Sequence, residues 1–365
     1  MSNIGVITTP SNDKSFARPV TRFLSILEPT AERIFLFGGG IVIRESPLPH
    51  QQNVDIGDGS FLGISFIDYG LLQLYICIKI FQHRRQLDLL YLHKGAMGLI
   101  LPVTIARLLG IRTCVIKIGA FHNERTGEPS LVSKLVTFAQ FGTFRAAHGV
   151  VVFTETEIPS VPNQNVFVAF SNYRDFDKFD ISCPNNKRPI NMGFVGRFSE
   201  VKGVVEVAKA AIILVNTNPD YQVRLVGEGP EFALVERLVS DYDRITLTGW
   251  VNHDTIAEEY NKMKVLVAPS KAEGLPTGLV EALGCGVVVA ATPVGSISDL
   301  IRDGETGFLL SNTNPESIAE CVKYINNRDD LSDIGRNARD HVVENYSKSA
   351  VTSAFESITE SMTSK

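Results

Sequence analysis

The sequence predicts an α/β protein made of two doubly wound, Rossmann-like halves. Three observations carry this. The chain has 365 residues, and at roughly 100–200 residues per domain that is room for two. Short apolar runs alternate with helix-length segments from end to end, the pattern of parallel sheets. The alternation breaks once, at a polar, Pro-bounded stretch, and then restarts. The 44% hydrophobic content excludes a disordered chain, and 29 Gly with 17 Pro exclude collagen-like or low-complexity structure.

In the first half the apolar runs predict strands at Ile4–Thr8, Arg33–Phe37, Leu89–His93, Arg112–Ile118, Gly149–Phe153 and Val166–Ala169. Helices fit Lys14–Leu27, Leu71–Arg85, Ala96–Leu109 and Leu131–Ala147. The polar run from Tyr173 to Pro189 is the candidate linker, so the expected domains are 1–180 and 181–346. Beyond it, strands are expected at Ile190–Val195, Gln222–Val226, Arg244–Leu247, Val265–Ala268, Val287–Ala291 and Gly307–Leu310. The intervening helices are Val204–Asn216, Glu231–Ser240, His253–Lys262, Thr277–Leu283 and Ser296–Arg302. From Pro315 onward the pattern is helical, and the last segment, 347–365, is a candidate to pack back on the first half.

The five Cys are widely spaced with no Cys-x-x-Cys pair, which speaks against a zinc ribbon or a dithiol redox site and for small buried hydrophobes in a reducing cytoplasm. Met1–Thr9 lacks a basic leader and reads as a first strand. The longest apolar stretches, Leu71–Phe81 and Gly95–Gly110, fall short of the roughly 20 residues a spanning helix needs. The overall charge of −5 gives no general pull toward nucleic acid. It conceals an asymmetry: residues 1–150 carry 15 Lys+Arg against 10 Asp+Glu, and the rest carry 20 against 30. The basic first half suits a peripheral contact with an anionic membrane or an anionic acceptor; the alternative is a set of solvated helix faces.

The richest stretch runs from Val267 to Gly286. A strand ends at Ala268, a loop carries Glu273, Gly274 and Leu275, and Pro276 sits where a first helical turn tolerates a missing N–H. The small residues Thr277 and Gly278 leave the first helical amides uncovered at the positive end of the dipole, a site suited to a diphosphate. Glu281, one turn inside, is placed to accept two vicinal hydroxyls, and Glu273 to hold hydroxyls of a second sugar ring. A second stretch, Gly193–Gly203, delivers Gly196 and Arg197 to a strand's carboxyl end and opens a helix with Lys202-Gly203. Two cations on one turn would neutralise a departing diphosphate. No Gly-x-Ser-x-Gly, His-Glu-x-x-His or phosphate-binding Gly-x-x-x-x-Gly-Lys motif is present, and the seven His form no ligand pair. A protein-held metal and a further cofactor are therefore not expected.

These residues, in order, resemble family 4 glycosyltransferases with the GT-B fold, two Rossmann-like domains facing a central cleft. The landmarks are Val195-Gly-Arg197, Lys202-Gly203, Val226-Gly-Glu-Gly-Pro230, Gly249, Pro269-Ser270, Glu273-Gly274, Glu281-Ala282, Gly295 and Asp303-Gly-Glu-Thr-Gly307. The first half is similar more weakly, through Leu89–His93, Gly98–Gly110 and Asn172, Asp177 and Phe179. The resemblance implies transfer of a hexose from a nucleotide-diphosphate sugar, UDP-linked, with retention of configuration and no metal. It implies that Arg197 and Lys202 bind diphosphate, Glu281 ribose and Glu273 the donor sugar. The backbone of Thr277–Leu279 would hold phosphates, and Val226–Gly229 (with Glu228) and Gly249–Val251 would line the nucleobase pocket. The implied acceptor is a glycan or lipid-linked sugar at the cytoplasmic face, as in polysaccharide biosynthesis, bound by the first half near Asn12–Arg18 and Phe121–Glu124.

Two departures stand out. The loop after the first strand, Thr9–Pro19, has no Gly-Gly pair, and Ile118 stands where the family commonly has His. His122, Asn123 or Glu124 is then the candidate for the polar role near the reacting centre, with His93 a second histidine candidate; the plain reading of either histidine is structural. The departures keep two alternatives open, a non-catalytic nucleotide-sugar-binding subunit of a glycan-assembly complex and a GT-B sugar-nucleotide epimerase.

Overall fold

In the computed structural model the described residues are 1–11, 14–44, 48–57, 65–93, 98–118, 131–163, 165–273 and 276–364. The chain forms two compact units, Met1–Tyr173 with Lys348–Lys365, and Arg174–Ser347.

The first unit holds strands β1 (Ser2–Ile7), β2 (Ala31–Gly38), β3 (Gln51–Asp55), β4 (Leu89–Leu92), β5 (Arg112–Ile116), β6 (Gly149–Val152) and β7 (Val166–Val168). They form one parallel sheet in the order β3-β2-β1-β4-β5-β6-β7. Period-2 alternation sorts their side chains between two cores. Ile34, Leu36, Leu89 and Tyr91 enter one core, together with Phe23 and Leu24 of α1 (Lys14–Leu27). Phe35, Phe37, Leu90 and Leu92 enter the other, under α3 (Ser65–His83), α4 (Ile100–Leu108) and α5 (Leu131–Ala146). Between β2 and β3 lies the one-turn helix α2 (Ile41–Arg44). Strand β3 was absent from the expected set because only Val54 of its five residues is buried. An edge strand has little need of an apolar face.

The second unit holds β8 (Ile190–Val195), β9 (Val223–Val226), β10 (Ile245–Gly249), β11 (Met263–Ala268), β12 (Val288–Ala291) and β13 (Phe308–Leu309). The sheet is again parallel, in the order β10-β9-β8-β11-β12-β13. Its helices are α6 (Val204–Thr217), α7 (Phe232–Val239), α8 (Ile256–Tyr260), α9 (Thr277–Gly284), α10 (Ile297–Leu300), α11 (Pro315–Asn326) and α12 (Leu331–Tyr346). Helices α6 and α11 share a core with the inward residues of β8, β9 and β11.

Two boundary expectations need correction. The stretch 174–189 is not a loose linker but a packed part of the second unit. Arg188 is buried there, donating from Nη1 to Met263 O at 3.0 Å and from Nη2 to Cys285 O at 2.6 Å. Arg339 donates to the Phe176, Phe179 and Gly284 carbonyls. Polar composition suggested solvent, but the polar groups are spent on backbone carbonyls inside the fold. The first unit accordingly ends at Tyr173, not 180. The last helix, α13 (Lys348–Thr363), belongs to the first unit: Val351, Phe355, Ile358 and Met362 enter the α1 core, and Thr359 Oγ1 lies 2.9 Å from the Tyr91 hydroxyl.

Candidate functional site

From β8 the second unit winds outward through β9 and β10, then returns to place β11 on the other side of β8. Strand order therefore reverses between β8 and β11. Loops leaving the carboxyl ends of two such strands diverge and open a crevice, the usual ligand position of open α/β sheets. Here those loops are 196–203 and 269–276. They are stitched together: Lys271 N donates to Val201 O at 2.8 Å, and Lys271 Nζ to Glu200 Oε1 at 2.8 Å. That hydrogen bond from Lys271 holds the exposed Glu200 carboxyl below the usual carboxylate range.

Backbone geometry explains two of the glycines. Gly203 has φ +66° at the start of α6, and a Cβ there would meet Pro269 O at 2.7 Å. Gly227 has φ +135°, and its Cβ would lie 1.9 Å from Gly196 O. Only glycine permits both the left-handed conformation and the close approach. The 196–203 loop therefore packs closely against Pro269 on one side and against the turn after β9 on the other.

Lys202 and Glu273, expected to touch different parts of one ligand, are paired with each other across the crevice. Glu273 also accepts from Ser270 Oγ at 2.7 Å. Arg197 is exposed at the end of β8 and forms no ion pair with a described residue. Gly196 donates its amide to Val226 O at 3.0 Å, which ties the β8 and β9 loops. At the start of α9, the amides of Leu279 and Val280 bond to Pro276 O at 2.9 and 3.2 Å. The amides of Thr277 and Gly278 make no hydrogen bond to a described residue. The uncovered amides expected from sequence are therefore those of Thr277 and Gly278, and Leu279 is engaged inside the helix. Gly274 and Leu275 lie outside the described residues.

Glu281 is buried rather than open, with two basic partners. Its Oε1 lies 3.3 Å from Arg174 Nε and 3.1 Å from His253 Nε2, and the Arg174 and Glu281 side chains are 6% and 8% exposed. Tyr260 lies beneath: its hydroxyl would be 3.4 Å from a Cβ at Gly278. Burial, then the Glu281 charge, push the Tyr260 phenol well above its ordinary value. It acts as a neutral donor or acceptor. Neither Arg174 nor His253 was among the sequence candidates. Arg174 fell in the stretch read as linker. His253 was expected as the first residue of a helix, but α8 starts only at Ile256, after a turn in which Thr255 N bonds to Asn252 O at 3.0 Å. A histidine just beyond a parallel strand's carboxyl end was the available signal.

Glu228 and Gly249 lie close together. Gly227 N donates to Gly249 O at 2.8 Å, and Trp250 N lies 3.4 Å from Glu228 Oε1. Val251 is half-buried beside them, while Trp250, the only tryptophan, is 68% exposed. In the first unit, His93 is buried at the end of β4 and stacks in parallel on Phe23 at 4.4 Å, which makes it a core histidine. His122 and the whole Phe121–Glu124 segment, with Asn12 and Asp13, lie outside the described residues.

Two doubly wound parallel units, one bearing cations, carboxylates and open helical amides at its strand-order reversal, define the GT-B class. Solved structures of this architecture are similar over nearly the whole chain. A glycosyltransferase from Rickettsia africae superposes with a TM-score of 0.76 at 15% identity, covering 100% of this chain and 99% of that one. HepE from Anabaena, solved in complex with UDP, gives 0.73 at 15% identity, covering 98% and 99%. Residues 175–341 match the family model of glycosyl transferases group 1. Among named relatives, N-acetyl-alpha-D-glucosaminyl L-malate synthase of Bacillus anthracis is 26% identical over 291 residues, 75% of either chain. The 2-deoxystreptamine glucosyltransferase of Streptomyces kanamyceticus is 26% identical over 275 residues, 68% of this chain and 70% of that one.

Proposed function

We propose that the protein transfers a hexose from a UDP-linked sugar to a glycan or lipid-linked acceptor, with retention and without a protein-held metal, at the cytoplasmic face. The observation that carries this reading is the convergence, at one crevice, of Arg197, Lys202, Glu273, Glu281 and the Thr277 and Gly278 amides. Arg197, Lys202 and the two amides supply positive charge to a diphosphate from three directions. That charge grows as the sugar–phosphate bond breaks, so these groups stabilise the transition state more than the ground state. Lys202 would exchange part of its pairing with Glu273 for a phosphate oxygen, leaving Glu273 to accept from sugar hydroxyls. Glu281, held by Arg174 and His253, presents its second oxygen to a ribose diol. Glu228, Gly249 and Val251 border the nucleobase. The first unit, Met1–Tyr173 with α13, is assigned to the acceptor and the second to the donor.

The test is release of UDP from a panel of UDP-sugars in the presence of glycan and lipid-linked acceptors, with product anomers read by NMR. Transfer with retained configuration is expected, reduced at least tenfold by Arg197→Ala and by Glu281→Gln. Absence of turnover across the panel, or an isomerised donor as sole product, would overturn the assignment.

A further inference from the structure

The outward faces of three neighbouring helices in the first unit do not look like solvated surface. Helix α4 lies between α3 and α5 on one face of the sheet. On α3 the exposed residues at i, i+4 and i+7 are Leu74, Ile78 and Phe81. On α4 they include Leu101 and Leu108, the latter 77% exposed. On α5 the outward stripe reads Lys134, Phe138, Phe141 and Arg145, with Phe138 75% exposed. A helix that faces water places polar residues at these positions. Large apolar residues clustered on adjacent helices mark an interaction surface.

The exposed charges on the three helices themselves are of one sign, the nearest exposed carboxylate after α3 being Asp88. Between residues 69 and 87, and within α4 and α5, there is no Asp or Glu at all. Asp68, at the start of α3, is buried. Four basic residues sit where the three helices end, Arg84 and Arg85 after α3, Arg107 on α4 and Arg145 on α5, while Lys79 and Lys134 lie within α3 and α5. Arg84 lies over the Phe81 ring, 4.0 Å from its centroid, and donates to Phe81 O at 2.7 Å. Arg107, Arg112, Arg145 and His148 line a cavity of about 620 Å³ at the same end. Capping of the last helical carbonyls accounts for individual arginines, but not for the apolar residues beside them or for the missing carboxylates.

We infer that this three-helix face is a docking surface for an anionic lipid bilayer, with the apolar side chains entering the headgroup boundary and the arginines engaging lipid phosphates. Apolar residues on one side and a predominantly basic border are the two ingredients of interfacial binding. A second copy of the chain fits less well, because a symmetric pairing would set arginine against arginine. Among the described residues no helix is long and apolar enough to cross a membrane, so the contact is with the surface. The inference concerns the first unit alone and is independent of the donor chemistry.

The test is flotation of the full chain with vesicles of phosphatidylcholine alone or with 30% phosphatidylglycerol (about one anionic lipid in three). Most of the protein is expected to float with the anionic vesicles at low salt and little with the neutral ones. The bound fraction should fall severalfold as ionic strength rises. Leu108→Ser with Phe138→Ser, and separately Arg84→Gln with Arg85→Gln, should each lower it at least fivefold, with unchanged circular dichroism and UDP binding. No flotation at low salt, or flotation untouched by both variants, overturns the inference. So does a dimer, seen by light scattering, that both variants abolish.

Discussion

Replacing Glu281 by Ala should unfold the second unit more readily, quite apart from any effect on transfer. Arg174 and Glu281 are more than nine-tenths buried and 3.3 Å apart. Taking one partner from a buried pair costs about 3–5 kcal/mol, because the remaining charge keeps its desolvation penalty and loses its compensation. The separation is longer than the 2.7–2.9 Å of a strong charge-assisted bond, which points to the lower end, about 3 kcal/mol. In a unit of this size each kcal/mol moves the melting midpoint by about 2–4 °C, so a fall of about 6–12 °C is expected. Urea denaturation followed by Trp250 fluorescence reads this unit alone, since the chain has no other tryptophan. Glu281→Gln keeps an oxygen acceptor but not the countercharge of Arg174 and should lose an intermediate amount, about 1.5–3 kcal/mol. The decisive comparison is a double-mutant cycle with Arg174→Met. If the single losses add to the double within about 0.5 kcal/mol, the two side chains are not coupled and the reasoning fails.

Glu273→Gln should slow transfer at least tenfold yet bind UDP as tightly as the parent or up to several-fold tighter, because Lys202 is freed from its carboxylate; weaker binding in calorimetry would contradict the pairing argument. UDP should change the fluorescence of Trp250, which sits beside Glu228, and a titration giving the same affinity as calorimetry would place the base there. Gly203→Ala should cost about 1–3 kcal/mol through its positive φ and the Pro269 carbonyl, read as a lower urea midpoint. The pH dependence follows from His148, whose pKa is lowered by burial, then by Arg107 and Arg112. Its Nδ1 accepts from Thr113 N at 3.1 Å, which requires that nitrogen to be unprotonated. A base with a depressed folded pKa contributes stability that is complete above its ordinary 6.5 and is lost as pH falls below it. The melting midpoint of the first unit should therefore drop on acidification from pH 7 to 5, and His148→Gln should flatten that slope.

The sequence made the alternation of strands and helices legible because each element carries its own periodicity. Lys14–Leu27 and Ile190–Val195 are found with the bounds their patterns suggest. Strand β3 was illegible for the opposite reason, being paired on one side and polar on most of its length. The crevice loops were readable from glycines and from Pro276, which constrain the backbone locally. What escaped was everything decided by distant partners. Nothing near Arg174 announces a carboxylate on α9, and nothing near Lys202 announces that Glu273 will take it. The stretch 174–189 was misread because composition records how polar a segment is, not whether backbone carbonyls elsewhere await its side chains.

Helix α13 has a consequence for how the protein is made. A ribosome releases residues 174–347 before it releases the helix whose Val351, Phe355 and Ile358 complete the first unit's core. The first unit is thus completed only after the second has emerged, and until α13 follows, Tyr91 and Phe23 lack their capping layer. The second unit meanwhile has every strand it needs. Cutting the chain after Ser347, which removes Lys348–Lys365, would spare the later unit and strand the earlier one, so that a loss far along the chain damages the unit that begins it.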